Sequence, residues 1–179
     1  MEPNPRTVLV VDDEENLLSA LQRTLRRENY TVLTASEPAE AFAVLKQRQV
    51  DVVVSDHLMP NMSGLDFLKE VRALHPDVVR IMLTGHAEVS TAVEAINEGE
   101  IFRFLTKPWQ DAELKVALHL AFDKLAAERT NRGLVAAAHH QRALILQAER
   151  QHPGLRHLLR DTDGALVVDK EDQATLAIG

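Results

Sequence analysis

Val52-Val53-Val54-Ser55-Asp56-His57-Leu58-Met59-Pro60-Asn61-Met62-Ser63-Gly64 is the stretch on which the fold of this chain turns. It opens as a continuous β-branched apolar run, the pattern of a strand buried on both faces. It closes with a carboxylate, Asp56, at the strand's C-terminal tip, then Pro60 and a turn over Asn61 to Gly64. In open parallel α/β sheets, that edge is where ligands and chemistry collect. Taken alone, Asp56 reads first as a strand-end residue capping a turn. Its neighbours change that reading.

Upstream, Thr7 to Val11 is a short apolar run that delivers Asp12 and Asp13 to its tip. Leu17, Leu18, Leu21 and Leu25 follow with helical spacing and predict an amphipathic helix. Tyr30 to Thr34 predicts a second strand, and Ser36-Glu37-Pro38 a helix start with a serine cap and proline just inside. Downstream, a helix is expected from Gly64 to Leu74, halted before Pro76, and a strand from Val78 to Leu83 leading into Thr84-Gly85-His86. Ala87 to Asn97 reads as a helix closed by Gly99. Ile101 to Leu105 reads as a strand ending in Thr106-Lys107-Pro108, and a last helix begins near Asp111. Strands alternating with helices of about 10–15 residues predict a parallel sheet covered on both faces, assembled by right-handed crossovers. Asp12, Asp13, Asp56, Thr84 and Lys107 then all reach one edge. They converge only in this doubly wound α/β fold.

Composition narrows the function. The chain has 179 residues, 45% of them hydrophobic and 26% charged, as in an ordinary globular protein. It carries no cysteine, which removes disulfide, thiolate and cysteine–zinc chemistry. Its net charge of −7 argues against a chain built to coat nucleic acid. No apolar run approaches the ~18 residues of a membrane span, and the first residues lack the apolar core of a secretory signal. The expectation is a cytoplasmic protein with no membrane partner.

Three clustered carboxylates need a cation between them, and an all-oxygen donor set favours a hard ion, Mg²⁺ or Mn²⁺. Mg²⁺ is usually completed by phosphate oxygens, so the site suits a phosphoryl group. Lys107 offers a mobile point charge to a phosphate oxygen, Thr84 a hydroxyl donor, and Gly85 room beside the reacting carboxylate. Asp56 is the expected nucleophile, forming an acyl phosphate.

The segments Val10-Val11-Asp12-Asp13-Glu14, Ser55-Asp56-His57-Leu58-Met59-Pro60, Gly64-Leu65-Asp66, Leu83-Thr84-Gly85 and Leu105-Thr106-Lys107-Pro108 resemble the receiver domain of bacterial two-component response regulators. The resemblance spans roughly residues 6 to 128. It implies a flavodoxin-like five-stranded sheet of order 2-1-3-4-5 and phosphorylation of Asp56 from a histidine kinase or phosphotransfer protein. It further implies Mg²⁺ held by Asp13, Asp56 and the Leu58 carbonyl, with Asp12 helping through water. Thr84 would be the switch hydroxyl, Phe104 its aromatic partner, and the Lys107–Pro108 bond cis. The segment Glu100-Ile101-Phe102-Arg103-Phe104-Leu105-Thr106 is one residue longer than in the commonest receivers, so Phe102 competes with Phe104 for the switch role. With Trp109, it looks like the variant found on receivers attached to cyclic-di-nucleotide phosphodiesterases of the HD-GYP type. The His-Asp dyad of those enzymes is absent from the sequence. His57 and His86 are expected to border the site entrance, and Trp109 to pack.

Beyond the receiver, Leu114, Leu118, Ala121 and Leu125 step by four and three, a coiled-coil pattern. Leu134, Ala138, Gln141, Ile145 and Ala148 restart a weaker stripe, with a hinge expected near Asn131-Arg132-Gly133. Leu155 to Leu159 and Ala165 to Val168 flank Asp161-Thr162-Asp163-Gly164, a hairpin signal. The organisation read from sequence is therefore a receiver over residues 5–128, a helical extension over 129–152 and a short β-hairpin tail over 153–179. Residues 129–179 hold seven Lys/Arg against six Asp/Glu and no helix-turn-helix pattern, so no nucleic-acid partner is expected. The expected function is a phosphoacceptor regulator, not an enzyme beyond its own phosphorylation and dephosphorylation, acting on an unnamed downstream protein as a helix-mediated homodimer. The alternatives are a regulator of a cyclic-di-nucleotide phosphodiesterase or cyclase supplied in trans, or a transcription regulator.

Overall fold

The computed structural model describes residues 6–151 and the short segments 159–160 and 166–167. The chain divides into two compact units, Met1–Glu128 and Arg129–Gly179.

In the first unit, β1 (Arg6–Val11), β2 (Tyr30–Ala35), β3 (Val52–Asp56), β4 (Val79–Thr84) and β5 (Arg103–Thr106) alternate with α1 (Glu15–Leu25), α2 (Pro38–Gln47), α3 (Gly64–Leu74), α4 (Val89–Asn97) and α5 (Asp111–Gln151). The strands form one parallel sheet of order β2-β1-β3-β4-β5. β3 sits at its centre and is buried along its whole length, which is why its sequence is apolar without alternation. One face of the sheet carries Val8, Val10, Val52, Val54, Ile81 and Leu83 into a cluster with α1 and α5. The other carries Leu9, Val11, Val53 and Met82 against α2, α3 and α4. The expected fold and strand order are observed.

Several local expectations are corrected. Ser36 does not cap α2; Glu37 stands at that position without a side-chain bond. Glu40 instead reaches back and accepts from both the N–H and the hydroxyl of Ser36, so the acidic side chain satisfies the turn. Helix α4 is preceded by a single 3-10 turn, His86–Glu88, in place of one helix from Ala87.

The largest correction concerns α5. Leu114, Leu118, Ala121 and Leu125 are buried in the receiver's own core, at 1%, 0%, 0% and 2% exposure. Their four-three spacing serves the sheet and α1, so these residues are not available to pair with a second chain. Phe122 beside them stacks on Tyr30 at 5.0 Å between ring centres. No hinge interrupts the helix at Gly133 either: α5 runs unbroken from Asp111 to Gln151. A lone glycine costs a helix only about 1 kcal/mol relative to alanine, and the surrounding Ala, Leu, Arg and Gln residues absorb it.

In the second unit, α5 continues over Arg129–Gln151, and two short antiparallel strands pair Leu159 with Val167 and Arg160 with Leu166. The Asp161–Gly164 turn lies outside the described residues, as does the rest of the expected tail.

Candidate functional site

The site is assembled at the C-terminal edge of the sheet from the tips of β1, β3, β4 and β5. Asp12 follows β1; its N–H donates to the Ala35 carbonyl at 3.2 Å and its Oδ1 accepts from the Glu14 N–H at 2.9 Å. Those bonds fix the carboxylate at the start of α1. Asp56 ends β3, and the ladder runs one residue further, His57 N–H donating to the Leu83 carbonyl at 2.8 Å. Gly64 then closes the β3–α3 loop, its N–H donating to the His57 carbonyl at 2.8 Å. A Cβ on Gly64 would fall 1.8 Å from the Asp56 carbonyl oxygen, so no other residue fits without moving the tip of β3. Within that loop Asn61 takes a left-handed φ of 68°, a conformation asparagine tolerates.

Thr84, fully buried, ends β4. Its carbonyl accepts from the Lys107 N–H at 2.7 Å, which ties the fifth strand's tip to the fourth's. The Lys107 ammonium lies 2.7 Å from Asp56 Oδ1 and 3.3 Å from Asp12 Oδ2. The Lys107–Pro108 peptide is cis.

Carboxylate oxygens of Asp12, Asp13 and Asp56 all lie within 4.8 Å of one another. Asp12 is fully buried, Asp56 nearly so at 6% exposure, and Asp13 is exposed. Burial pushes the Asp12 carboxyl above its usual pKa; the Glu14 N–H and Lys107 partly offset this, while the Asp56 charge adds to it. Burial alone would lower the Lys107 pKa, but its contacts with Asp56 and Asp12 outweigh that and hold it above the usual lysine value. Three carboxylates against one ammonium leave a cluster short of positive charge. Its all-oxygen donors and that deficit fit a hard divalent cation. Asp12, Asp13 and Asp56 would hold it, and it would supply neutralisation of a phosphoryl group's charge.

Residues 8–119 match the response regulator receiver domain. The chain belongs to that family. Receiver domains bind Mg²⁺ through such an acidic pocket and interact with histidine kinases or phosphotransfer proteins. The chain is 34% identical over 171 residues to the C4-dicarboxylate transport transcriptional regulatory protein DctD of Rhizobium meliloti, covering 92% of this chain and 37% of that one. It spans only 22% to 37% of the length of the first curated regulators it matches. Among solved structures, it is similar to one described as adenylate cyclase from Rhodopirellula baltica, at 34% identity and a TM-score of 0.71, covering 74% of this chain and 98% of that one. It is also similar to the signal receiver domain of an HD domain-containing protein from Pseudomonas fluorescens Pf-5, at 37% identity and a TM-score of 0.66, covering 69% and 99%. That likeness fits the variant read from the Phe102–Trp109 segment.

The two candidate switch aromatics separate in the structure. Phe104 pairs in register with Met82 and packs on the α2–α4 side of the sheet. Thr84 lies two residues beyond Met82, hence on the same side. Phe102 precedes β5 and packs on the α1–α5 side, with Trp109. Leu58 sits in the loop after β3 with its side chain 62% exposed. His86 is exposed, but His57 is buried, and its Nδ1 has no hydrogen-bond partner among the described residues. It does not border the entrance, because the extended β3–β4 ladder draws it inside. The space at Gly85 faces Glu88, whose Oε2 would lie 2.7 Å from an added Cβ.

Sequence reasoning passed over Arg80. Its Nε donates to the Glu100 carbonyl and its Nη1 to the Val78 carbonyl, both at 2.7 Å, while Arg72 pairs with the Glu100 carboxylate at 2.9 Å. The two arginines hold the lengthened α4–β5 segment in place. The available signal was a charged residue inside an apolar strand, which must find partners.

Proposed function

We propose that this receiver is a phosphoacceptor regulator in two-component signalling, phosphorylated on Asp56 from the phosphohistidine of a sensor kinase or phosphotransfer protein. The observation that carries the reading is the Lys107 ammonium bridging Asp12 and Asp56 beside an exposed Asp13. An Asp56 carboxylate oxygen attacks the donor phosphorus, the phosphorus–nitrogen bond breaks, and the imidazole leaves. Asp13, Asp56 and the Leu58 carbonyl would hold Mg²⁺, with Asp12 helping through water, and the ion would supply neutralisation of the transferring group's charge. Lys107 and Thr84 then contact the phosphoryl oxygens, Lys107 by exchanging an Asp56 contact for a phosphate one. Phe104 is the aromatic partner of Thr84, supported by their shared side of the sheet; Phe102 is a core residue.

An open groove next to the site supports a docking protein donor. Leu17, Leu21 and Thr24 of α1 line it together with Lys107, Pro108 and Trp109, so the groove and the acceptor share Lys107. No helix among the described residues is long and apolar enough to cross a membrane, in keeping with a cytoplasmic regulator. Output is by protein–protein contact as a homodimer through the helical extension, and the chain has no enzymatic activity beyond its own phosphorylation and dephosphorylation. A second reading, control of transcription as in DctD, is favoured by that regulator's match across 92% of this chain. Control of a cyclase or phosphodiesterase in trans is favoured by the cyclase and HD-protein likenesses.

Incubation with acetyl phosphate and Mg²⁺ tests the reading. One phosphoryl group per chain is expected, absent from Asp56→Asn. Undiminished labelling of that variant overturns the assignment.

A further inference from the structure

His57 is a buried polar side chain for which the chemistry above has no use. It follows Asp56 directly, is 9% exposed, and its Nδ1 has no hydrogen-bond partner among the described residues. A buried polar atom in that condition costs free energy, so a fold that keeps one calls for a reason. The register supplies the surroundings. Asp56 pairs with Leu83, and the bond from the His57 N–H to the Leu83 carbonyl carries the ladder on, setting His57 beside Thr84. Paired residues of a parallel ladder project to the same side, on strands about 4.8 Å apart. That side is the one of Val53, Met82 and Phe104, whereas Asp12 and Asp56 alternate to the other, with Val10 and Val54. Few buried polar groups among the described residues could therefore serve Nδ1. Asp51 is engaged with the Thr7 N–H at the opposite end of the sheet. Ser55 shares the side of His57 but stands two residues back along the strand, roughly 6.6 Å away. Its hydroxyl donates to the Asp56 carbonyl at 2.9 Å. Thr84 is nearer, fully buried, and its hydroxyl makes only a 3.4 Å contact with the Gly85 carbonyl.

We propose that His57 is a positioning residue for Thr84: once Asp56 is phosphorylated, His57 Nδ1–H donates to Thr84 Oγ1 and aims the Thr84 hydroxyl proton at a phosphoryl oxygen. The proposal rests on the reading above in which Thr84 contacts the phosphoryl group. A hydroxyl has one proton and two lone pairs. The bond from Nδ1–H occupies a lone pair and leaves the single proton free to meet the phosphoryl oxygen. The two bonds polarise one another and strengthen together in a buried site. This role assigns the imidazole proton to Nδ1, since Thr84 spends its own on the phosphoryl group. Because Nδ1 has no protein partner before phosphorylation, the bond is gained only with the switch and biases the chain toward the switched state. His57 touches neither the phosphorus nor the metal; it acts through Thr84.

Beryllofluoride with Mg²⁺, a mimic of the phosphoryl group, tests this in the full chain, with bound and free fluoride resolved by ¹⁹F NMR. His57→Leu removes the donor and should bind the mimic roughly three- to tenfold more weakly than the parent. His57→Asn, whose amide N–H stands close to the place of Nδ1–H, should recover most of that loss. In a Thr84→Val background, adding His57→Leu should change the affinity by less than about twofold, because the partner is already gone. An equal loss in both backgrounds would show a packing role and overturn the proposal. So would a His57→Leu variant that binds like the parent, or a His57→Asn variant that binds no better than His57→Leu. Should His57→Leu fail to fold, the parent alone still decides. The mimic should protect the His57 Nδ1–H from solvent exchange in ¹⁵N-resolved spectra, and an unchanged Nδ1 signal overturns the proposal. A parent that binds the mimic no better than Asp56→Asn sinks the phosphoacceptor reading, and this proposal with it.

Discussion

The two halves of α5 carry similar apolar repeats and meet opposite fates. Between Asp111 and Glu128, leucines at four-three spacing are buried against the sheet. Between Arg129 and Gln151, a weaker repeat of the same kind is exposed throughout its described length. Spacing alone reports that a helix has a sticky side; it does not report what covers it. The first half has a sheet and α1 to supply the partner, and its stripe is wider, with Ala117 and Phe122 also buried. A broad stripe suits a sheet and a narrow one suits a single helix.

Charging the two halves should separate them most sharply. Leu118→Glu places an unpaired carboxylate in the receiver core and should cost about 4–5 kcal/mol or more, abolishing cooperative unfolding. Leu134→Glu should leave the melting temperature of the receiver unchanged. Equal effects on both would break the distinction. Truncation gives a graded form: Leu118→Ala should cost about 2–5 kcal/mol in chemical denaturation. Leu134→Ala should stay within about 0.5 kcal/mol at concentrations where the chain is monomeric.

A smaller effect is expected at the acidic site, which belongs wholly to the first half's unit. The folded Asp12 pKa lies above its unfolded value, so protonation favours the folded state. That stabilisation is full below the unfolded pKa of about 3.8 and is lost as pH rises through the folded one. Without divalent cation at neutral pH, Asp12→Asn should therefore raise the melting temperature by a few degrees, about 1 kcal/mol. The gain should shrink as the pH falls, and the variant should respond less to added Mg²⁺. Smallest of all, Gly133→Ala should slow amide hydrogen exchange in the second half of α5, by up to about 1 kcal/mol of local stability, with no change in the first.

Much of the first unit was legible because each strand announces itself by a short, mostly apolar run and four of the five tips by a residue of distinct chemistry. Asp12, Asp56, Thr84 and Lys107 are legible from where their runs end; the structure brings Asp12, Asp56 and the Lys107 ammonium within bonding reach and ties Thr84 to Lys107 through the backbone. The rest depended on distances that no periodicity carries. Gly64 reads as a turn residue, yet its role is the close approach to the Asp56 carbonyl. His57 reads as a rim residue because it follows Asp56, yet it is buried, and one further ladder bond fixes its backbone. Phe102 and Phe104 are two apart and would share a face in a longer strand; β5 starts only at Arg103, and that start separates them. Gly133 resembles a hinge until the strong helix formers on both sides are weighed.

Which carboxylate takes the phosphoryl group is the decisive question. Borohydride reduction of the chain treated with acetyl phosphate and Mg²⁺, followed by peptide mass mapping, converts an aspartyl phosphate to homoserine and marks its position. Homoserine at position 56, and at no other aspartate, is the predicted result. Homoserine at position 12 or 13, or none after demonstrated labelling, would contradict it.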